Sequence, residues 1–142
     1  MVDKKIRHFV LAGSLCAILS FWGYGARAET DEWGFSTLPT LQNPFPNTVV
    51  VGAPPNCPSQ QAQYARALVA ALQERGIPAR LVDNIGFHYN GEAEFNQMQI
   101  DTNVASSAPT PPVYINQKFK GAPSFEQVLG ELRLQFYPED NQ

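Results

Sequence analysis

The sequence contains few of the residues that build disulfide, metal or nucleic-acid sites. Its 142 residues include 2 Cys and 2 His, too few for a disulfide scaffold or a Cys/His zinc cluster. Ten Lys plus Arg stand against 13 Asp plus Glu, a net charge of -3, so no basic surface for nucleic acid is expected. A glycine-rich phosphate loop is also absent. These absences argue against metal, phosphate and nucleic acid as ligands.

The remaining composition is that of one folded domain. Hydrophobic residues make up 44% of the chain, which is enough for a core, and a chain of this length usually forms a single domain. The 12 Pro and 10 Gly predict many breaks between short helices and strands.

Residues 1–28 have the pattern of a cleavable export signal. Three basic residues precede the uncharged residues 9–22, and Ala26 and Ala28 supply the small-x-small pattern of a cleavage site. The uncharged run is shorter than the roughly 20 residues that span a bilayer. We therefore expect cleavage after Ala28, no membrane span in the mature chain, and a periplasmic or secreted location.

Removal of this signal leaves Cys57 as the single cysteine. A single Cys in an exported chain cannot form an internal disulfide. Its thiol is therefore buried, bonded to another molecule, or reactive. The mature chain is also more acidic, which disfavours binding to nucleic acid and to anionic membranes.

Residues 47–137 are predicted to form the folded domain, between an N-terminal arm and a C-terminal tail. Residues 29–46 contain prolines and aromatic residues with no sustained period of 2 or 3.6, so we expect an irregular arm there. Residues 138–142 are assigned to the tail.

The first half of this domain has the pattern of a strand, a helix and a second strand. Residues 48–51 are a β-branched run typical of a strand that is covered on both faces, and residues 79–82 are predicted as a second strand after the break at residues 76–78. Between them, residues 59–75 repeat apolar side chains every four positions, with Pro58 suited to the first helical position and Gly76 to the position after the end. A connection of this length is typical of parallel strands.

The second half is predicted to contain a hairpin followed by a helix. A short helix is predicted at residues 92–100, and residues 113–115 and 118–121 have the pattern of two paired strands. Ser124 and Gln127 then form the Ser-x-x-Gln pattern of a capping box before an amphipathic helix.

This order of elements resembles the thioredoxin-like superfamily in its glutaredoxin-like form, over about residues 47–136. The two motifs that carry the resemblance are the sequence Asn56-Cys57-Pro58-Ser59 after a β-branched strand and Thr110-Pro111 before the hairpin. The resemblance implies an α/β fold with a three- or four-stranded mixed sheet flanked by helices. It also implies that Cys57 is the nucleophile and that a cis proline, Pro111, faces it.

The sequence departs from the family at three points. The dithiol pattern Cys-x-x-Cys is replaced by Cys57-Pro58-Ser59-Gln60, so Gln60 stands where the resolving thiol would be. Glutathione-binding members usually carry a Lys shortly before the Cys, where this chain has Pro54. They also carry a Gly-Gly-x-Asp-like turn after the hairpin, where this chain has Gly121-Ala122-Pro123-Ser124. We expect no bound cofactor, with glutathione as the open alternative.

A thiol at the start of a helix is favoured as thiolate, because unsatisfied backbone N–H groups carry partial positive charge there. No cation stands beside Cys57 in the sequence. The competing interpretation is a buried Cys that acts as a small hydrophobe. His88 is the single His of the mature chain, and we expect it to be structural or at the surface and not a partner of Cys57.

These observations predict a monothiol protein that exchanges thiols and disulfides with envelope proteins. The predicted nucleophile is Cys57, and the predicted substrate-binding residues are Asn56, Pro58, Ser59, Gln60, Thr110 and Pro111. Two alternatives stay open. One is a redox-silent binding or scaffold protein of the cell envelope, and the other is a homodimer linked through Cys57.

Overall fold

The computed structural model describes residues 29–54 and 56–137. The predicted export signal at residues 1–28 and the predicted tail at residues 138–142 lie outside the described residues. The strands are β1 (Ser36–Thr37), β2 (Leu41–Gln42), β3 (Val49–Gly52), β4 (Ala79–Val82), β5 (Gly86–Phe87), β6 (Pro112–Ile115) and β7 (Lys118–Gly121), and the helices are α1 (Gln60–Glu74), α2 (Glu92–Ser107) and α3 (Phe125–Phe136).

A mixed sheet of five strands in the order β1-β7-β6-β3-β4 forms the centre of the fold. The β3 and β4 strands are parallel, as the crossover length predicted, and the other pairs are antiparallel. The expectation of three or four strands is wrong because β1 adds a fifth strand at the β7 edge. A separate two-stranded sheet pairs β2 with β5.

The central strand β3 is covered on both faces. Its Val49 and Val51 pack with apolar residues of α1 and α3, whereas Val50 packs with Tyr114 and partly buried residues of α2. All three valines are fully buried. A continuous β-branched run therefore forms the middle of a three-layer structure, which agrees with its sequence pattern.

Two helices begin close to their predicted positions because their caps are local in sequence. Ser59 caps α1 by accepting a hydrogen bond from Ala62 N–H, so Pro58 lies before the helix and not at its first position as predicted. Ser124 and Gln127 form the predicted capping box of α3. Helix α2 extends to Ser107, seven residues beyond the predicted end at residue 100.

Residues 29–46 differ from the irregular arm that the sequence predicted. They contribute β1 and β2, and the side chains of Phe35 and Leu38 are fully buried in the two cores. Asp101 of α2 is 1% exposed and accepts hydrogen bonds from Thr40 N–H at 2.9 Å and Thr40 Oγ1 at 2.7 Å. The N-terminal segment, residues 29–46, is therefore an integral part of the fold.

The described helices give no sign of a membrane crossing. Within residues 29–54 and 56–137, no helix combines the length and the apolar character that a bilayer span requires.

Candidate functional site

An open cleft of about 370 Å³ lies where β3 and β4 end and the chain enters β6. Its walls come from the β3–α1 connection, the β4–β5 connection and the loop before β6. The lining residues are Gly52, Ala53, Pro54, Cys57, Ser59, Gln61, Ala62, Val82, Asp83, Asn84, Ile85, Thr110, Pro111, Pro112 and Tyr114.

The cleft brings together four of the seven predicted site residues. Cys57 and Ser59 line one wall, and Thr110 and Pro111 line another. The other three predicted residues do not line the cleft and are exposed to solvent; they are Asn56, Pro58 and Gln60. Gln61, one position further along α1, lines the cleft and was missed by the sequence prediction.

The turn that presents Cys57 has a left-handed residue. Asn56 has a φ of 56°, a conformation that Asn tolerates better than most residues other than Gly. Cys57 follows this turn and lies two residues before the cap Ser59, and its thiol is half-buried. Cys57 is therefore not the fully buried residue that the competing interpretation required.

Ser59 is the closest polar partner of the thiol. Cys57 Sγ donates a hydrogen bond to Ser59 Oγ at 3.3 Å, while Ser59 Oγ also accepts from Ala62 N–H at 3.2 Å. The bond from Ala62 N–H uses only a lone pair of Ser59 Oγ. The hydroxyl hydrogen of Ser59 is therefore free to turn toward a deprotonated Cys57 sulfur. The same residue can thus stabilise the thiolate and cap the helix.

These contacts lower the pKa of the Cys57 thiol below its ordinary value. The largest cause is the hydrogen bond with the Ser59 side chain, followed by the one with the Ser59 backbone, and the positive charge of Arg66 acts in the same direction. Desolvation of the sulfur opposes them. A lower pKa raises the thiolate fraction at neutral pH, and the thiolate is the nucleophilic form.

Arg66 is a neighbour of Cys57 that the sequence prediction missed. Its Nη1 and Nη2 both donate to the backbone oxygen of Cys57 at 3.1 Å. Helical side chains tilt toward the N-terminus of their helix, and this tilt directs Arg66 back toward the turn that holds Cys57. No cation stands beside Cys57 in the sequence, as stated above, but the fold brings the Arg66 guanidinium close to it.

The loop opposite Cys57 contains a cis peptide bond between Thr110 and Pro111, which is the geometry that the resemblance implied. Pro111 is buried and Thr110 is exposed. The Pro111 carbonyl accepts a hydrogen bond from Ala122 N–H at 2.8 Å, which fastens this loop to the end of β7.

Two glycines allow the cleft loops to approach the sheet. A Cβ on Gly52 would lie 2.7 Å from Pro112 Cγ, which is closer than real contacts allow. A Cβ on Gly121 would collide with the backbone oxygen of Pro109. Residues without a side chain are therefore required where the loop before β6 packs against β3 and β7.

The remaining candidates do not join this cleft. His88 donates its backbone N–H to Thr40 O and lines a separate small cleft beside α2, so it is not a base for Cys57. Across residues 29–54 and 56–137, no group of three or more His, Cys, Asp or Glu side chains is arranged to hold a metal ion. Among the side chains that line the cleft, the Cys57 thiol is the nucleophile whose pKa is lowered.

Comparison of this chain with protein-family models, with curated protein sequences and with solved structures found no match.

Proposed function

We propose that this chain is a thioredoxin-like, monothiol protein of the cell envelope that exchanges thiols and disulfides through Cys57. The observation that supports this function best is the position of the Cys57 sulfur, half-buried in a cleft beside Ser59 Oγ, with its pKa lowered. Further support comes from the order and directions of β3, β4, β6 and β7 and from the cis bond on the facing wall.

The reaction begins with attack of the Cys57 thiolate on one sulfur of a substrate disulfide. A new S–S bond forms to Cys57, the substrate S–S bond breaks, and its electron pair leaves on the second substrate sulfur, which takes up a proton. Ser59 stabilises the thiolate before attack. Arg66 holds the Cys57 backbone and is a positioning residue.

Release of Cys57 requires a thiol from outside the chain. Gln60 stands where a resolving Cys would be, and its side chain is exposed. A second thiolate, from an envelope protein or from a small thiol such as glutathione, attacks the mixed disulfide and displaces Cys57 as thiolate. The external thiol ends in a new disulfide with the first substrate sulfur, so the net reaction is an exchange in which the second substrate sulfur is reduced and the external thiol is oxidised. Full reduction of the substrate requires a second external thiol, which displaces the first substrate sulfur from this disulfide.

The pH dependence of alkylation tests the reactive thiol directly. We expect the rate of Cys57 modification by iodoacetamide to rise with an apparent pKa below that of a free cysteine in an unfolded peptide. Arg66→Lys serves as a matched control because it keeps the charge and removes the forked contact with the Cys57 oxygen. An apparent pKa at or above that of the free thiol would remove the basis of the proposed chemistry.

A redox-silent binding protein is the second candidate function, and two observations favour it. Gln60 replaces the resolving thiol, and β4 pairs with no described strand other than β3. Leu81 on this strand is 38% exposed, so the edge could receive a partner strand. Cys57→Ser separates the candidates, because unchanged partner capture by this variant supports the binding protein.

A homodimer linked through Cys57 is the third candidate, since the half-buried thiol opens into the cleft. Electrophoresis without reductant tests it. A band of twice the monomer mass that disappears with reductant and in Cys57→Ser supports the dimer, and its absence after oxidation argues against it.

A further inference from the structure

Two carboxyl side chains meet where the N-terminal segment packs on α3. Glu131 of α3 is 1% exposed, and Asp31 of the N-terminal segment lies beside it. Two ionised carboxylates in contact repel each other, and burial adds a penalty for each charge. A single proton held between the two groups removes the repulsion and one of the buried charges.

The hydrogen bonds around Glu131 identify the oxygen that carries this proton. The backbone N–H of Asn47 donates to Asn116 Oδ1 at 2.9 Å, so Asn116 Nδ2 is directed to Gln135 Oε1 at 2.8 Å. Gln135 Nε2 then donates to Glu131 Oε1 at 2.8 Å. Glu131 Oε2 has no hydrogen-bond partner among the residues that the structure describes. As a protonated oxygen it becomes a donor, and Asp31 is the acceptor beside it.

Asp31 is held as the ionised partner. Its Oδ1 accepts from the N–H groups of Trp33 and Phe35, each at 3.0 Å, and its Oδ2 accepts from Lys118 Nζ at 3.3 Å. Burial opposes ionisation of Asp31, but the contacts with Glu131, Phe35 and Lys118 together lower its pKa. For Glu131, burial and then the contact with Asp31 raise the pKa to about 7.

We propose that a proton shared between Glu131 Oε2 and Asp31 fastens the N-terminal segment to α3, and that release of this proton as the pH rises loosens the segment. Among residues 29–54 and 56–137, the titratable groups that face Glu131 are Asp31 and Lys118. After release, one ammonium group faces two carboxylates, so one negative charge is left without a partner. The proton passes to solvent, and the pair is accordingly a pH-sensitive latch.

The latch controls two contacts of the segment. Trp33 packs directly over Gly130, the neighbour of Glu131 on α3. Ser36 and Thr37 form β1, which covers the β7 edge of the main sheet. Loosening the segment therefore uncovers a sheet edge and withdraws an indole ring, independently of the chemistry proposed for Cys57.

Hydrogen exchange of the full chain at pH 5.5 and pH 8.5 tests the latch. After correction for the intrinsic rates, we expect the protection of amides 35–37 to fall about tenfold or more at the higher pH. Glu131→Gln keeps a donor toward Asp31 at every pH, and we expect it to remain protected in both buffers. Glu126→Gln removes an exposed carboxylate from the same helix and should behave like the parent chain.

A direct titration keeps the proposal testable if Glu131→Gln does not fold. Carbon-13 NMR of the side-chain carboxyl groups in the unsubstituted chain should show Glu131 titrating near pH 7, with the Trp33 indole resonance shifting at the same midpoint. Equal protection of amides 35–37 at the two pH values, or titration of Glu131 near its ordinary 4.5, would overturn the latch.

Discussion

Replacing Glu131 by Gln tests how strongly one buried carboxyl group makes folding depend on pH. The side chain is 1% exposed, one of its oxygens accepts from Gln135, and the other has no hydrogen-bond partner among the described residues. Gln has almost the same shape as Glu and carries no charge at any pH. The substitution therefore removes the ionisation and keeps the packing on α3.

The magnitude follows from the two pKa values of Glu131, which are about 7 in the fold and 4.5 when the group is exposed. Between these values the folded chain binds more protons than the unfolded chain, so the free energy of unfolding falls as the pH rises from 4.5 to 7. At roughly 1.4 kcal/mol per pH unit over about 2.5 units, the loss is at most about 3.5 kcal/mol.

Asp31 acts with the opposite sign, because its pKa in the fold lies below its ordinary 3.8. Its contribution to the free energy of unfolding is present above pH 3.8 and is lost as the pH falls through the folded-state pKa. The combined contribution of these two groups to the free energy of unfolding is therefore greatest between about pH 3.8 and pH 4.5.

Urea denaturation followed by far-UV circular dichroism at pH 5 and pH 8 measures this effect. We expect the free energy of unfolding of the parent chain to fall by about 2 to 3 kcal/mol, and that of Glu131→Gln to change by less than about 1 kcal/mol. Glu126→Gln should retain the full pH dependence. A parent chain with equal stability at both pH values, or a Glu131→Gln variant with undiminished pH dependence, would refute the reasoning.

Three other substitutions test the site and the packing. Ser59→Ala should raise the pKa of Cys57, measured by alkylation, and should reduce the free energy of unfolding by about 1 kcal/mol because α1 loses its cap; an unchanged pKa would contradict the assigned role of the hydroxyl. Asp101→Ala leaves the buried Thr40 N–H without an acceptor and should cost about 2 to 4 kcal/mol in urea denaturation, whereas a cost below about 0.5 kcal/mol would contradict the burial argument. Gly121→Ala should reduce the free energy of unfolding by about 1 to 3 kcal/mol and slow Cys57 alkylation, because the new Cβ displaces the loop that contains Pro111. Unchanged stability and an unchanged alkylation rate would contradict this packing argument.

The sequence predicted the elements whose signals are local. The capping box at Ser124 and the β-branched run of β3 each depend on residues within a few positions, so their physical reason is visible in the sequence. Ser59 was predicted as part of helix α1 and not as its cap. Helix α2 was predicted too short because the length of a helix is inferred from a repeat of buried apolar residues. The one buried residue of α2 is Asp101, so the sequence of this helix has no such repeat.

The N-terminal segment shows why elements that depend on contacts distant in sequence were not predictable. Phe35 and Leu38 are buried by partners that are distant in sequence, and β1 exists because the β7 edge is available to pair with it. An irregular apolar pattern becomes an ordered strand when a neighbouring edge supplies the hydrogen bonds. Such a neighbour cannot be inferred from the segment alone.

The same division holds for the candidate site. The sequence singled out Cys57, its partner Ser59 and the pair Thr110 and Pro111, since each lies in a motif of adjacent residues. It did not reveal Arg66 beside the Cys57 backbone, nor the wall of the cleft at residues 83–85, because helix geometry and the β4–β5 connection bring them close.

The amino-acid sequence by itself determined the central strand, the two capped helices and the single thiol of residues 29–142, because these follow from side-chain type and short-range spacing. The tertiary structure decided which charges meet that thiol and which carboxyl groups share a buried contact. Electrostatic effects depend on distance and burial in space, and Asp31 and Glu131 acquire both only when the N-terminal segment packs on the last helix.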